Sequence, residues 1–340
     1  MKITTIGLDI SKTIFHMFAV NQAGKLVKKR VIKRADLLSI FAQLEPTLIV
    51  IEACGGANHW AREFIKLGHQ VKLIAPQYVV PYRRKNKNDF NDAEAIAEAA
   101  QRPNMTFVPI KSVEQEDIQM VLRMRKRHVK TMVAINNQVR GFLAEYGLCA
   151  AKGKTALAAR LPKFIDDESN ELSTFARESF RELYADFVAA QEKVEFYTKK
   201  INVYTRNNPI CKRVKSVIGV GPMTAAELYA SIGDGKMFHN GRHFAAWCGL
   251  TQRQNSSGGK TMLSGITKKG NPHLRSSLIH GARAALQYVD GKDDKLSRWA
   301  YELKCRKHSN VACVALANKL ARIAWSVIAN EEDYRLEYAA

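Results

Sequence analysis

The chain has 340 residues, 46% of them apolar, which is enough for ordinary globular cores and leaves room for two or three domains. Lys and Arg total 53 against 32 Asp and Glu, a net charge of +21, with a pI near 9.8. That excess argues against an enzyme of small metabolites and for a polyanionic partner, nucleic acid by default.

A membrane partner is not expected. The positive charge is spread along the chain instead of massed beside one apolar segment. No stretch approaches the ~20 apolar residues that span a bilayer. The nearest, 311–329, is interrupted by Lys319 and Arg322. The N-terminus runs straight into a strand pattern without a signal-peptide core. Six cysteines (54, 149, 211, 248, 305 and 313) form no CxxC pair, as expected of reduced thiols in a cytoplasmic protein.

In chain order, residues 3–9, 14–20 and 25–32 read as strands, with Asn21-Gln22-Ala23-Gly24 as a turn between the last two. A helix over 35–44, a strand over 47–51, a helix over 58–67 and a strand over 70–74 follow. A basic loop then leads to a helix from about 91 to 101. An antiparallel meander feeding parallel βα units predicts an α/β domain of the RNase H-like type over 1–110.

Four carboxylates fall at telling places in that layout. Asp9 interrupts the apolar run Ile6–Ile10, and Glu52 ends the run that precedes it. Asp89 and Asp92 stand three apart at a helix start and so share a face. A carboxylate at the end of a buried strand is costly unless compensated, and a hard divalent cation such as Mg²⁺ is the usual remedy. Any one of the four has a plain alternative; Asp89 or Asp92, for instance, would serve as a helix cap. Together they make a workable set for two-metal chemistry on a phosphodiester. Arg83, Arg84, Lys85 and Lys87 precede Asp89, and their position favours contact with a nucleic-acid backbone. Arg123, Arg127 and Lys130 recur at i, i+4 and i+7, forming one basic helix face.

Two long segments, 112–146 and 172–207, predict extended helices, a hairpin or coiled-coil arm within a region spanning 111–207. Pro209 marks the start of a mostly α third domain over 208–330. There, Ser216-Val217-Ile218-Gly219-Val220-Gly221-Pro222 has the helix-hairpin-helix pattern, whose glycines Gly219 and Gly221 allow a tight turn open to a phosphate. A helix over 244–249, a polar loop over 251–271 and helices near 272–287, 293–305 and 311–329 complete the chain. Within the loop, Ser256 and Ser257 precede Gly258-Gly259-Lys260; Ser-Gly pairs are mostly turns, and no hydrolase triad accompanies them.

Several motifs now occur in order: Gly7-Leu8-Asp9, Ile51-Glu52-Ala53, Asp89-Phe90-Asn91-Asp92-Ala93, Ile218–Pro222, Phe244–Thr251, Ser257-Gly258, and Lys269-Gly270-Asn271-Pro272-His273-Leu274-Arg275. In this the whole chain resembles the DEDD transposases of bacterial insertion sequences, the bridge-RNA-guided recombinases, and is similar to the Piv site-specific DNA invertases. The resemblance implies that the N-terminal domain is RuvC-like and that Asp9, Glu52, Asp89 and Asp92 bind Mg²⁺. It also implies that Ser257 forms a phosphoserine link to DNA, with the adjacent Ser256 leaving the register open. Donor and target DNA, a structured guide RNA and a homo-oligomer, dimer or tetramer, are the implied partners. Lys260 and Arg275 are further candidates for phosphate contact by charge and nearness in sequence. The rival readings are a Piv-like invertase, a RuvC-like structure-specific endonuclease, and a non-catalytic nucleic-acid-binding protein.

Overall fold

The computed structural model describes residues 2–83, 88–151 and 153–334, which divide into two compact units, Met1–Val113 and Glu114–Ala340.

The first unit is built on one mixed sheet. Its strands are β1 (Thr5–Ile10), β2 (Ile14–Val20), β3 (Leu26–Lys33), β4 (Leu48–Glu52), β5 (Gln70–Ile74) and β6 (Phe107–Val108), in the spatial order β3-β2-β1-β4-β5-β6. The β1–β2 and β2–β3 pairs are antiparallel, β1–β4 and β4–β5 parallel, and β5–β6 antiparallel. The expected meander feeding parallel βα units is therefore present, and the arrangement is compatible with an RNase H-like domain. The edge strand β6 and the short helix α3 (Pro76–Val79) were not read from sequence.

Strand alternation splits this unit into two cores. Ile6 and Leu8 of β1, Phe15 and Met17 of β2, and Ile49 and Ile51 of β4 face one side. They pack there with Phe41 of α1 (Leu37–Ala42) and with Trp60 and Phe64 of α2 (Ala57–Lys66). The opposite face carries Phe18 and Val20 of β2 and Val50 of β4, covered by α3 and α4 (Asp89–Ala100). Helix α4 sits close because its buried residues are mostly alanines and because Gly7 lies beneath it; a Cβ on Gly7 would overlap the Ala93 carbonyl. The helix begins earlier than predicted. Its N-cap is Asn88, whose side chain accepts from the Asn91 N–H at 2.8 Å.

The second unit is mainly helical. Helices α5 (Val113–Glu145) and α7 (Thr174–Asn207) are the two long segments expected. They run antiparallel: Tyr204 donates to Glu114 at 2.7 Å, Arg125 to Thr198 at 2.7 Å, and His128 stacks on Tyr197. Helix α6 (Lys154–Asp166), which was not anticipated, fills a core with them through Leu157, Leu161, Val139, Leu143, Phe180 and Phe187.

A second core of this unit gathers α8 (Pro209–Val214), α9 (Pro222–Ile232), α10 (Gly241–Trp247), α11 (Pro272–Leu286), α12 (Lys295–Arg306) and α13 (Ser309–Ala329). Helix α13 is, contrary to the sequence reading, apolar and long enough to pass for a membrane span by composition, the one such helix among the described residues. Half of it is buried, and Leu316, Leu320, Ala324 and Ile328 pack inside the core.

The predicted polar loop over 251–271 is also corrected. It contains a two-stranded hairpin, β7 (Gln252–Gln254) and β8 (Leu263–Ile266). Its strands are exposed on both faces, so the alternation that betrays a half-buried strand is missing.

Candidate active site and nucleic-acid interface

The pleat decides where the first acidic groups point. Asp9 lies two residues beyond Gly7, and Glu52 two beyond Val50, so both belong to the sheet face covered by α4. Strands β1 and β4 run parallel with Leu8 beside Ile51, which sets Asp9 and Glu52 at the same end of neighbouring strands. Across the β1–β2 pair, Asp9 stands opposite His16. The first turn of α4 supplies Asp89 and Asp92 above that end.

Asp9 senses the other three carboxylates. Asp9 is pushed from 3.8 up to about 6, first by burial and then by the charges of Asp92, Asp89 and Glu52. The Cys54 thiol is raised as well, by burial and then by Glu52 and Asp9. Because Asn88 caps α4, neither Asp89 nor Asp92 is spent on that task.

Two basic side chains stand nearby. Arg83 Nε is 2.5 Å from Asp92 Oδ1, and Asp92 is buried. That oxygen has this ion pair but no aligned hydrogen bond. His16 Nδ1 lies 3.6 Å from Asp89 Oδ2, while its ring packs edge-on against Phe90. As placed, no three His, Cys, Asp or Glu groups among the described residues are set to hold a metal ion. Asp92 is engaged by Arg83 and Asp89 by His16. The donor set nevertheless fits a hard divalent cation, since it offers carboxylate oxygens from three elements, among them a buried Asp92 Oδ1 without an aligned hydrogen bond. Sequence reasoning missed His16, whose only signal was its position in β2 opposite Asp9.

Arg84, Lys85 and Lys87 lie outside the described residues. Arg83 is half-buried and paired with Asp92, so its guanidinium belongs to the carboxylate group.

In the second unit, Ser257 sits at the tip of the β7–β8 hairpin. Ser257 bridges to Lys260, whose N–H donates to the Ser257 carbonyl at 3.1 Å. Gly258 and Gly259 between them both have positive φ, +56° and +75°, the conformation that tight two-residue hairpins favour. Ser256 accepts from Gln254 Nε2 at 2.9 Å. Lys260 is exposed on the far side of the turn. Arg275 lies at the start of α11 and donates to two backbone carbonyls, Cys248 O at 3.0 Å and Lys269 O at 2.8 Å.

The basic face of α5 is continuous with the start of α11. Lys126, Lys130 and Arg123 all depress His273, after its burial, and Lys126 Nζ contacts His273 Nδ1. His273 was noted from sequence only as part of the Lys269–Arg275 motif, and Lys126 was not singled out; it falls one position off the Arg123–Arg127–Lys130 spacing. Arg127 lies beside His128 on the same helix.

The two glycines of the α8–α9 turn have different surroundings. Gly219 has φ +79°, and a Cβ there would lie 2.7 Å from the Gly281 carbonyl of α11, so it serves close helix packing. Gly221 is exposed, with open space where a Cβ would stand, immediately before α9.

Comparison with known proteins places the chain in the class of DNA transposases. A DEDD transposase family model matches residues 6–148, and that of the transposase IS116/IS110/IS902 family matches 211–297. The chain is 44% identical to the transposase for insertion sequence element IS1111A of Coxiella burnetii, over 98% of this chain and 92% of that one. It is 43% identical to a probable family 20 transposase of Pseudomonas aeruginosa, over 98% and 99%. The pilin gene-inverting protein of Moraxella bovis is 22% identical over 96% of both chains. The protein belongs to the IS110 family of insertion-sequence transposases, which are DNA recombinase enzymes.

Proposed function

We propose that this transposase cleaves and rejoins DNA through a covalent link to Ser257, with Mg²⁺ held by Asp9, Glu52, Asp89 and Asp92 in an RNase H-like domain. The observation that carries the metal reading is the placement of Asp9, Glu52 and the first-turn acids of α4 at one end of the sheet, where burial first and then the charges of Asp92, Asp89 and Glu52 push Asp9 up to about 6. Bound Mg²⁺ would supply Lewis-acid stabilisation of the phosphate charge. The chain's own residues do the rest. The Ser257 Oγ attacks phosphorus, the Oγ–P bond forms, and the strand's 3′-oxygen leaves and takes a proton. A 3′-hydroxyl from the other strand later attacks the phosphoserine, restoring both the diester and the serine hydroxyl. The exposed tip of the hairpin suits an in-line approach. It also favours Ser257 over Ser256, whose hydroxyl is engaged by Gln254.

Binding to donor and target DNA would use the α5 cations, Lys260 at the hairpin, and the exposed Gly221 turn read as a helix-hairpin-helix. A structured guide RNA would share this basic surface, and base pairing would then read the target. The long α5–α7 pair would act as a coiled-coil spacer in a dimer or tetramer, with working segments 1–110, 111–207 and 208–330.

The test uses a nicked duplex that traps the intermediate, resolved on a denaturing gel. Ser257→Ala should abolish the protein–DNA adduct, whereas Ser256→Ala should retain it. The reverse pattern moves the nucleophile by one residue, and DNA cleavage without adduct in any sample favours metal-activated water instead. For the guide, protein purified with its whole element should retain one dominant RNA, and changing its pairing bases should redirect the site. Likeness to the pilin gene-inverting protein supports a second reading, inversion by the same chemistry. The DNA flanking the gene distinguishes inversion from transposition.

A further inference from the structure

The hairpin that carries Ser257 has no core of its own. Every residue from 252 to 265 is exposed, so nothing along the arm fixes where its tip points. Its direction must be set where it leaves the helical body.

That neck is built tightly. Thr267 N–H donates to Thr251 O at 2.8 Å, and Lys268 N–H to Gly249 O at 3.2 Å. The two segments approach too closely for side chains. A Cβ on Gly249 would overlap the Lys269 carbonyl, and one on Gly270 the Trp247 carbonyl; both glycines have positive φ. Arg275 closes the structure from outside. Its Nη1 donates both to Cys248 O, on the incoming segment, and to Lys269 O, on the outgoing one. Arg275 is itself carried by α11, whose Leu274, Leu278 and Ala282 are buried in the core.

We infer that Arg275 is a positioning residue for the Ser257 hairpin: it ties both segments of the neck to α11 and so fixes the direction in which the serine is presented. The inference rests on Ser257 as the nucleophile. It differs from phosphate binding by Arg275, which would use Nη2 and Nε; the positioning role rests on Nη1, which donates to the two carbonyls of the neck. A small swing at the neck is enlarged at the tip, and misplacing a reacting atom by about 1 Å can cost ~10²-fold in rate.

The experiment measures adduct formation by the full-length protein, with its co-purified nucleic acid and Mg²⁺, on the nicked duplex over a range of substrate concentrations. Hydrogen exchange at the Thr267 and Lys268 amides is followed in parallel. Arg275→Ala should lower kcat by ~10²-fold with KM unchanged, and the two amides should exchange faster. Arg275→Lys should recover most of the rate and the protection, since both bonds come from one nitrogen that an ammonium can replace. Gly270→Ala, which forces the same neck apart with Arg275 intact, should reproduce the kcat loss, and Arg275→Lys against wild type decides the matter if Arg275→Ala does not fold. A raised KM at unchanged kcat would show direct phosphate binding and overturn the inference. So would unchanged amide protection, or a Lys variant no better than Ala. Adduct formed by Ser257→Ala would instead defeat the nucleophile assignment, and the exchange data would still report on the neck.

Discussion

The carboxylate group and the serine hairpin solve opposite problems. Asp9 and Glu52 are fixed by a sheet whose two faces are packed, and α4 lowers Asp89 and Asp92 onto them. Geometry there is secured by the fold, and the difficulty is electrostatic: four acids share one place, with Arg83 and His16 as cationic or potentially cationic neighbours. Ser257 has no such electrostatic burden. In the proposed mechanism its difficulty is mechanical, because an exposed arm would have to aim a hydroxyl from a neck a few residues wide. A buried, charged site therefore answers most to cations and pH, and an exposed arm to changes at its base.

The contrast can be broken most severely at Asp9. Asp9→Asn keeps the shape and removes one charge from the proposed ligand set, so recombination should fall on the order of 10³-fold or more while nucleic-acid binding persists. The same change relieves repulsion, so the metal-free variant should melt no lower than wild type at neutral pH. Wild-type recombination rates by Asp9→Asn in Mg²⁺ would remove the metal site from the account.

A second break is steric. Gly7→Ala puts a methyl group where the Ala93 carbonyl lies, and α4 must lift away from β1. Overpacking of this kind costs about 1–3 kcal/mol, and it should displace Asp89 and Asp92 from Asp9. Thermal melting should fall by several degrees, and activity by more than that loss explains. The exposed hairpin offers no equivalent: Gly265→Ala, with open space around it, should leave melting unchanged. Equal melting of the Gly7 and Gly265 variants would mean that α4 is not held as closely as described.

How much of this was legible follows from the same physics. Strands 14–20 and 70–74 were read with their observed bounds, and the long helices within one or two residues, because burial writes alternation or helical periodicity into the sequence. Asp9 and Glu52 stood out as charges in apolar runs. Helix α6 was hidden by Pro162, which in sequence reads as a helix breaker. The β7–β8 hairpin was hidden because Gln252-Arg253-Gln254 buries nothing; its one signal, Gly258-Gly259, was read as flanking a serine and not as a hairpin turn. The double use of Arg83 and Arg275 is a tertiary fact. Each was noted as a cation, but its partners, Asp92 for one and Cys248 and Lys269 for the other, are fixed only by folding.

A milder effect should sharpen the comparison on the basic face. Lys126→Ala with Lys130→Ala removes two cations near His273 without touching either candidate site. Affinity for duplex DNA should drop, and the slope of log K against log salt should flatten by up to ~1.8, at ~0.9 for each phosphate no longer neutralised. An unchanged slope would place the nucleic acid on another face.

The smallest effect concerns pH, and its sign follows from Asp9. Without metal, the folded carboxyl titrates near 6 and the unfolded one near 3.8, so the folded state holds more protons between these values. Stability of the metal-free protein should therefore decline as pH rises from about 4 to about 6 and then level off. A divalent cation competes with that proton, and its stabilisation should grow across the same interval. Saturating Mg²⁺ should raise the melting temperature by a few degrees more at about pH 7.5 than at about pH 5. In Asp9→Asn, which has no proton to displace at this position, the difference between the two pH values should largely vanish. Ser257→Ala should keep it in full, since the hairpin plays no part in holding the ion. Equal stabilisation at both pH values in the wild type, or an undiminished difference in Asp9→Asn, would mean that the ion binds somewhere other than this carboxylate group.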